Sequence, residues 1–143
     1  MKLSISKHWL LGLAMGMLTL PAYADIAVIK NPANTSQLNE KQVRSAYLGK
    51  LKSFNDGEEI RAYDLPSTSK DWNVFVDRVL RKTPSTLNAY WARMLFSSKG
   101  KPPRTMDTEE QILHEVANRK NAIGYVNSSM VDESVTVLFI IKD

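Results

Sequence analysis

The sequence predicts an α/β fold, a single compact domain with a mixed central sheet of about four to five strands flanked by helices. Two observations predict it. Short apolar runs typical of buried strands recur from the early part of the chain to its end. Segments with apolar residues at helical spacing separate most of these runs, and strands separated by helices pair through crossovers that place helices on the faces of a sheet.

Four strands are predicted from compact apolar runs bounded by turn residues. They cover residues 26–29, 60–63, 122–126 and 135–141. The first ends at Asn31-Pro32 and the second at Asp64-Leu65-Pro66. The last run, Val135–Ile141, is apolar enough to predict a central strand.

Four helices are predicted from their start signals and their periodicity. The first begins after Asn39 and ends near Gly49, and the third begins at Thr83-Pro84, a cap followed by proline at the first helical position. Asp107 or Thr108 caps the fourth. The second helix has the clearest spacing, with apolar residues at i, i+3, i+4, i+7 and i+8: Trp72, Phe75, Val76, Val79 and Leu80. The third repeats it at Leu87, Tyr90, Trp91, Met94 and Leu95.

The first 24 residues are predicted to be a cleavable signal peptide. Lys2 and Lys7 precede an uncharged apolar run over 9–20, which is too short for a membrane-spanning helix, and Ala22-Tyr23-Ala24 is a small-x-small cleavage signal. A domain over 25–143 in the periplasm is therefore expected, with an N-terminal membrane anchor as the alternative. The chain has no cysteine, so neither a lipoprotein attachment site nor a disulfide is expected.

The residue inventory argues against several classes of function. The formal charge is +4, but basic and acidic residues are interspersed, which disfavours a nucleic-acid partner. With no cysteine, His114 is the one histidine after residue 24, so no metal cluster and no cofactor are expected. No serine stands on a Gly-x-Ser-x-Gly turn, and a hydrolase is the least supported class. We expect a protein that is not an enzyme.

One loop is a candidate binding site. Asp64–Ser69 joins the end of a strand to the start of a well-formed helix, where ligands of open α/β sheets bind. A helix start offers free backbone N–H groups, and the adjacent hydroxyls of Ser67, Thr68 and Ser69 add donors, which suits phosphate or sulfate. The alternative is that one hydroxyl caps the helix and solvent surrounds the others.

Several motifs occur in a characteristic order along the chain. They are Asn31-Pro32, Tyr47-Leu48-Gly49-Lys50, Phe54-Asn55-Asp56-Gly57, the Asp64–Ser69 loop, Tyr90-Trp91-Ala92-Arg93, Pro102-Pro103 and Ala122-Ile123-Gly124-Tyr125-Val126. Together they resemble the small periplasmic proteins related to the substrate-binding component of phosphate ABC transporters. The resemblance implies a reduced form of the type 2 periplasmic binding protein fold, and it covers essentially all of 25–143.

The resemblance also implies a ligand site. The role of holding phosphate oxygens falls on Ser67, Thr68 and Ser69, with Asn31 and Thr35 from the first loop. This sequence departs from the family at three points: the chain is about half the length of a two-lobed binder, the loop has no glycine, and Trp72 stands where similar proteins carry arginine. Arg44, Arg61 or Arg93 are the candidates to replace that cation, and Arg44 is included in the predicted site.

Two functions from different classes remain open at this point. In the first, the protein binds phosphate or a similar oxyanion and presents it to a transporter or sensor. In the second, the fold is kept without a ligand pocket, and a surface docks onto a membrane or envelope complex. The hydroxyl-rich helix start favours the first function, and Trp72 favours the second.

Overall fold

The structure is a computed structural model that describes residue 16 and residues 25–142. The predicted signal peptide over 1–24 lies outside the described residues apart from Gly16. In the part of the chain that is described, no helix is both long enough and apolar enough to cross a membrane.

In the described part of the chain, five strands form one mixed sheet. They are β1 (Ile26–Lys30), β2 (Arg61–Asp64), β3 (Arg104–Thr105), β4 (Ala122–Asn127) and β5 (Thr136–Ile141), in the order β3-β2-β4-β1-β5. β2 runs parallel to β3 and β4, whereas β1 runs antiparallel to β4 and β5. The predicted α/β class with a mixed sheet of four to five strands is therefore confirmed.

The position of the last strand differs from the prediction. β5 lies at an edge, because its one partner in the described sheet is β1, which separates it from β4. β1 is buried along its whole length and lies between β5 and β4 in the sheet. Val137 and Ile140 on β5 are 37% and 41% exposed, so the apolar run reflects an edge strand with an apolar outer surface. The prediction of a central strand was wrong.

Four helices cover the sheet, and their starts follow local capping chemistry. They are α1 (Glu40–Tyr47), α2 (Lys70–Phe75), α3 (Pro84–Phe96) and α4 (Glu109–Asn118). Asn39 and Thr83 cap α1 and α3, as predicted, and the structure adds that each forms a reciprocal capping box. Of the candidates left open, Ser69 caps α2 and Thr108 caps α4.

The second predicted helix is not uniform. After α2 the chain continues as a π-helical segment over Val76–Leu80 and ends at Arg81, whose backbone is left-handed with φ of 54°. Val76, Val79 and Leu80 in this segment are all buried in the core. The 3.6-residue period predicted which residues are buried, but a regular α-helix over this segment was wrong.

Two further details of the prediction fail near the end of α3. Leu95, placed on the inner face by its spacing, is 54% exposed, and the following Phe96 is 96% exposed. The last turn of α3 extends beyond the core, so helical spacing there no longer corresponds to burial. The loop after Gly100 contains the two-residue strand β3, which pairs with the end of β2 and was not predicted.

An aromatic cluster forms the centre of the core beneath the helices. The ring of Phe75 stacks on Tyr125 with centroids 3.9 Å apart, and Tyr47 meets Phe75 edge to face at 4.7 Å. The Tyr47 hydroxyl donates to the carbonyl of Tyr63 at 2.7 Å, so this buried polar group is satisfied. These contacts join α1, α2, β2 and β4, and they fix the position of the loop that follows β2.

Candidate functional site

A cleft opens where β2 ends and two helices begin. Its volume is about 390 Å³, within the usual range of small-ligand sites. Residues of the β2–α2 loop and of the first turn of α2 line one side, and the segment Asp107–Glu109 at the start of α4 lines the other. We refer to it as the α2–α4 cleft.

Hydroxyl groups from both helix starts line this cleft. Ser69 Oγ accepts from the backbone N–H of Trp72 at 3.3 Å, and Thr108 Oγ1 accepts from Gln111 N–H at 3.2 Å. Each of these side chains is therefore a helix cap whose own hydroxyl hydrogen remains available. Thr68 is exposed, lines the cleft and caps no helix.

Carboxyl groups dominate the charge of the cleft. Asp71, Asp107 and Glu109 line it together with a single cation, Lys70. Burial raises the pKa of Glu109 to about 7, and a hydrogen bond and charge repulsion from Asp71 act in the same direction. The N–H of Asn127 donates to Glu109 at 3.0 Å and opposes the rise in that pKa. Glu109 therefore keeps its proton up to near-neutral pH and shares it with Asp71 through a hydrogen bond.

A partly buried carboxylate, Asp64, lies at the end of β2, next to the loop that lines the cleft. Asp64 accepts from the hydroxyl of Tyr125, from the N–H of Leu65 at 2.9 Å and from the side chain of Trp72. Burial raises the pKa of Asp64, and these three donors limit the rise. All three donors are neutral. At the position where the family resemblance leads one to expect a cation, Trp72 instead donates a neutral hydrogen bond to Asp64.

The structure brings two of the six predicted ligand residues into the cleft, Thr68 and Ser69. Ser67 is exposed on the same loop but does not line it. The remaining three lie on other elements and are described next. Whether any of the six binds a ligand stays a prediction.

Asn31 and Arg44 form structural contacts away from the cleft. The Asn31 amide donates to the carbonyls of Val116 and Ala117 at 2.9 and 3.0 Å, and its oxygen accepts from Ala33 N–H. Arg44 Nε donates to the carbonyl of Val79 at 2.6 Å, and its guanidinium pairs with the carboxylate four residues earlier. Thr35 is exposed on the loop after β1. None of these three side chains lines the α2–α4 cleft.

Sequence reasoning missed the residues that give the cleft its charge. Asp71 and Glu109 are not among the residues that the sequence analysis selects, and Asp107 is predicted there only as a candidate helix cap. The sequence did place α4's start at Asp107 or Thr108, but the approach of that start to α2 is a tertiary contact without a local signal. Within residues 25–142, no group of three histidine, cysteine or carboxylate side chains is arranged to hold a metal ion.

Comparison with known proteins defines the class of fold. No protein-family profile and no curated protein sequence matches the chain. Solved structures do match: an ABC-type phosphate transport receptor from Vibrio cholerae aligns with a TM-score of 0.59 and 17% identity over 80% of this chain. A protein assigned as a phosphate ABC transporter substrate-binding protein from Clostridium perfringens, solved with bound phosphate, aligns at 0.62 and 23% over 80%. PstS from Borrelia burgdorferi aligns at 0.60 and 13% over 80%.

The chain therefore has the fold of part of a phosphate ABC transporter substrate-binding protein, as the sequence resemblance implied. It spans less than half of these structures, covering 46%, 45% and 47% of their respective lengths. At these identities the likeness establishes the fold. The proteins it resembles are binding proteins by description, and the ligand and partners of this chain are addressed next.

Proposed function

We propose that this chain is a periplasmic solute-binding-like protein, without enzymatic activity, that binds phosphate or a similar small oxyanion in the α2–α4 cleft. In this proposal it presents the anion to a membrane transporter or sensor. Signal-peptide cleavage after Ala24, without a lipid anchor, delivers it to the periplasm. The fold supports this function, because the solved structures that it resembles are phosphate transport proteins.

The observation that carries the proposal is the donor set of the cleft. Thr68 and Ser69 supply hydroxyls, Lys70 supplies an ammonium group, and the start of the ten-residue helix α4 adds backbone N–H groups and a partial positive charge. The cleft also contains carboxyl groups, which repel a fully ionised anion. A ligand that carries its own proton donates it to a carboxylate, so this arrangement favours phosphate, which retains a proton at neutral pH, over sulfate.

Titration calorimetry of the mature protein, residues 25–143, with phosphate and sulfate tests this function. We expect heat with one-to-one stoichiometry for phosphate and weaker heat for sulfate. Thr68→Ala and Lys70→Gln should each weaken phosphate binding by about tenfold, because each removes one hydrogen bond to the ligand. Thr136→Ala, an exposed threonine on β5, is the matched control and should bind as the wild type does. No heat at millimolar phosphate would exclude the proposal.

A specific observation favours the second candidate function, a docking module without a ligand. Three carboxyl groups line the α2–α4 cleft against one cation, and Trp72 occupies the place expected for another. Affinity capture from envelope extracts with and without phosphate tests this function. Capture of a specific membrane partner, by a protein that gives no binding heat with phosphate, supports docking. Capture of no specific partner argues against it.

The expected export has its own test. Mass spectrometry of protein recovered from the periplasmic fraction should give the mass of residues 25–143. Retention of the full-length mass in a membrane fraction would instead favour the alternative of an N-terminal anchor.

A further inference from the structure

A second and larger cleft lies on a different part of the surface. Its volume is about 890 Å³, and it shares no lining residue with the α2–α4 cleft. The C-terminal end of α1, the segment 49–53, β2 and the segment 100–104 form its walls. We refer to it as the β2 cleft.

The charge of the β2 cleft is opposite to that of the first. Lys52, Arg61, Lys101 and Arg104 line it, with Glu59 as the one acid among the lining residues. The four basic residues are exposed, and within residues 25–142 none of their side chains is held in an ion pair. Four cations against one acid around one concave surface attract a partner that carries several negative charges.

The floor of the β2 cleft is apolar. Leu51, Ile60 and Ala62 are partly buried there, and Pro102-Pro103 form a rigid wall. Tyr47 also lines the cleft, but its ring is 1% exposed, so it offers little face for stacking a nucleobase. An apolar floor beneath charged rims suits a ligand that alternates carboxylates with apolar side chains, whereas nucleic-acid sites typically combine cations with exposed aromatic rings.

The walls of the cleft are held by the backbone. The N–H groups of Lys50 and Leu51 both donate to the carbonyl of Ser45, at 2.8 and 3.0 Å, and Ile60 N–H donates to Lys52 carbonyl at 2.9 Å. On the other wall, β3 pairs with β2 immediately after the two prolines. A preformed surface reduces the entropy that binding must overcome.

We propose that the β2 cleft binds an acidic peptide segment of a partner protein, in extended form, with its apolar side chains on the floor and its carboxylates at the basic rim. This inference is independent of oxyanion binding, because the two clefts share no residue. It assigns a partner of defined chemistry to a surface for which the fold resemblance makes no prediction.

The probe is a synthetic peptide of about ten residues that alternates glutamate and valine, enough to follow the cleft as an extended strand. Fluorescence anisotropy with the labelled peptide should give a Kd of about 10 to 100 µM, typical of a weak, charge-steered contact. A peptide with lysine in place of glutamate should not bind. The double variant Arg61→Glu/Lys101→Glu should weaken binding by about tenfold or more, because two attractive charges become repulsive.

Lys120→Glu is the matched control, an exposed lysine on the turn between α4 and β4 that lies outside both clefts. It should leave the affinity within about twofold. Circular dichroism checks that the double variant is folded, and Lys52→Gln and Arg104→Gln are measured as single variants if it is not.

Several results would overturn the proposal. They are no binding at about 1 mM peptide, equal binding of the lysine peptide, and equal loss in Lys120→Glu. Tighter binding of a single-stranded oligonucleotide or of anionic lipid vesicles would assign the cleft to another class of partner. Loss of self-association in the Arg61→Glu/Lys101→Glu variant, by sedimentation, would assign the cleft to a second copy of the chain.

Discussion

The carboxyl of Glu109 should make the stability of the protein fall as the pH rises through neutrality. Its pKa is raised to about 7, whereas the same carboxyl ordinarily titrates at 4.5. Between these values the folded state keeps a proton that the unfolded chain has released, so the free energy of unfolding decreases with rising pH. The contribution is fully present below pH 4.5 and is lost above about 7. The side chain is partly solvent-exposed, so screening reduces the expected loss to about 1 to 2 kcal/mol.

Glu109→Gln isolates this effect. The glutamine oxygen still accepts from the N–H of Asn127, and its amide donates to Asp71 in place of the shared proton. Urea unfolding at about pH 5 and about pH 8.5 should show that the variant gains about 1 to 2 kcal/mol relative to the wild type at the higher pH.

Glu133→Gln is the control for this experiment, because Glu133 is exposed on the loop before β5 and lies outside the cleft. Its stability should follow the wild type at both pH values. Parallel pH dependence in all three proteins would refute the reasoning, since it would mean that Glu109 does not retain its proton when the chain folds.

Three further changes test the core and the residues around the site. Gly124→Ala should lower the free energy of unfolding in urea by about 1 to 3 kcal/mol, because the added Cβ would lie 2.5 Å from Ile112 Cγ2. Gly100→Ala is the control, since its Cβ would face the flexible end of a methionine. An equal loss of stability in both variants would contradict this packing argument. Tyr125→Phe should lower stability by about 1 to 3 kcal/mol in thermal unfolding, since it removes a donor from the partly buried carboxylate of Asp64; an unchanged Tm counts against it. Asn31→Ala should lower the free energy of unfolding by about 1 to 3 kcal/mol, because it removes two hydrogen bonds to α4. It should leave the phosphate titration heat unchanged, and loss of that heat would instead place Asn31 in the binding site.

Features governed by local chemistry were predictable from the sequence. Asn39 and Thr83 cap helices because their side-chain oxygens accept backbone N–H bonds three residues on, a contact that needs no tertiary information. The spacing of Phe75, Val76, Val79 and Leu80 likewise predicted burial, since all four are buried. Element type and inner faces therefore followed from short-range pattern.

Features governed by long-range pairing were not predictable. β5 and β1 are both apolar runs, and nothing in their composition shows that β1 has a partner on each side whereas β5 is paired with β1 alone. The π-helical segment after Phe75 packs against α1, and the helical period alone does not distinguish it from an α-helix. β3 is two residues long, too short for any periodic signal.

The candidate site divides in the same way. Thr68 and Ser69 were predicted because a strand end followed by a helix start is a local pattern with a known use. Asp71 and Glu109 were not predicted as site residues, because they are 38 residues apart in the sequence. They meet only when the start of α4 packs beside α2. The cap at the start of α4 predicts that Glu109 lies in the first turn of a helix, but it does not predict that Asp71 lies beside it.

The shared proton distinguishes the two proposed binding sites experimentally. In the α2–α4 cleft, protonation of Glu109 removes a negative charge, so oxyanion affinity should rise as the pH falls through about 7. Sulfate keeps its charge across this range, so the pH dependence of its weak binding reports on the protein alone. The β2 cleft has neither histidine nor a paired carboxyl among its lining residues, and its affinity for the acidic peptide should change little between about pH 6 and about pH 8. A sulfate affinity that does not change with pH would show that Glu109 and Asp71 do not contribute to the oxyanion site, independently of the result at the β2 cleft.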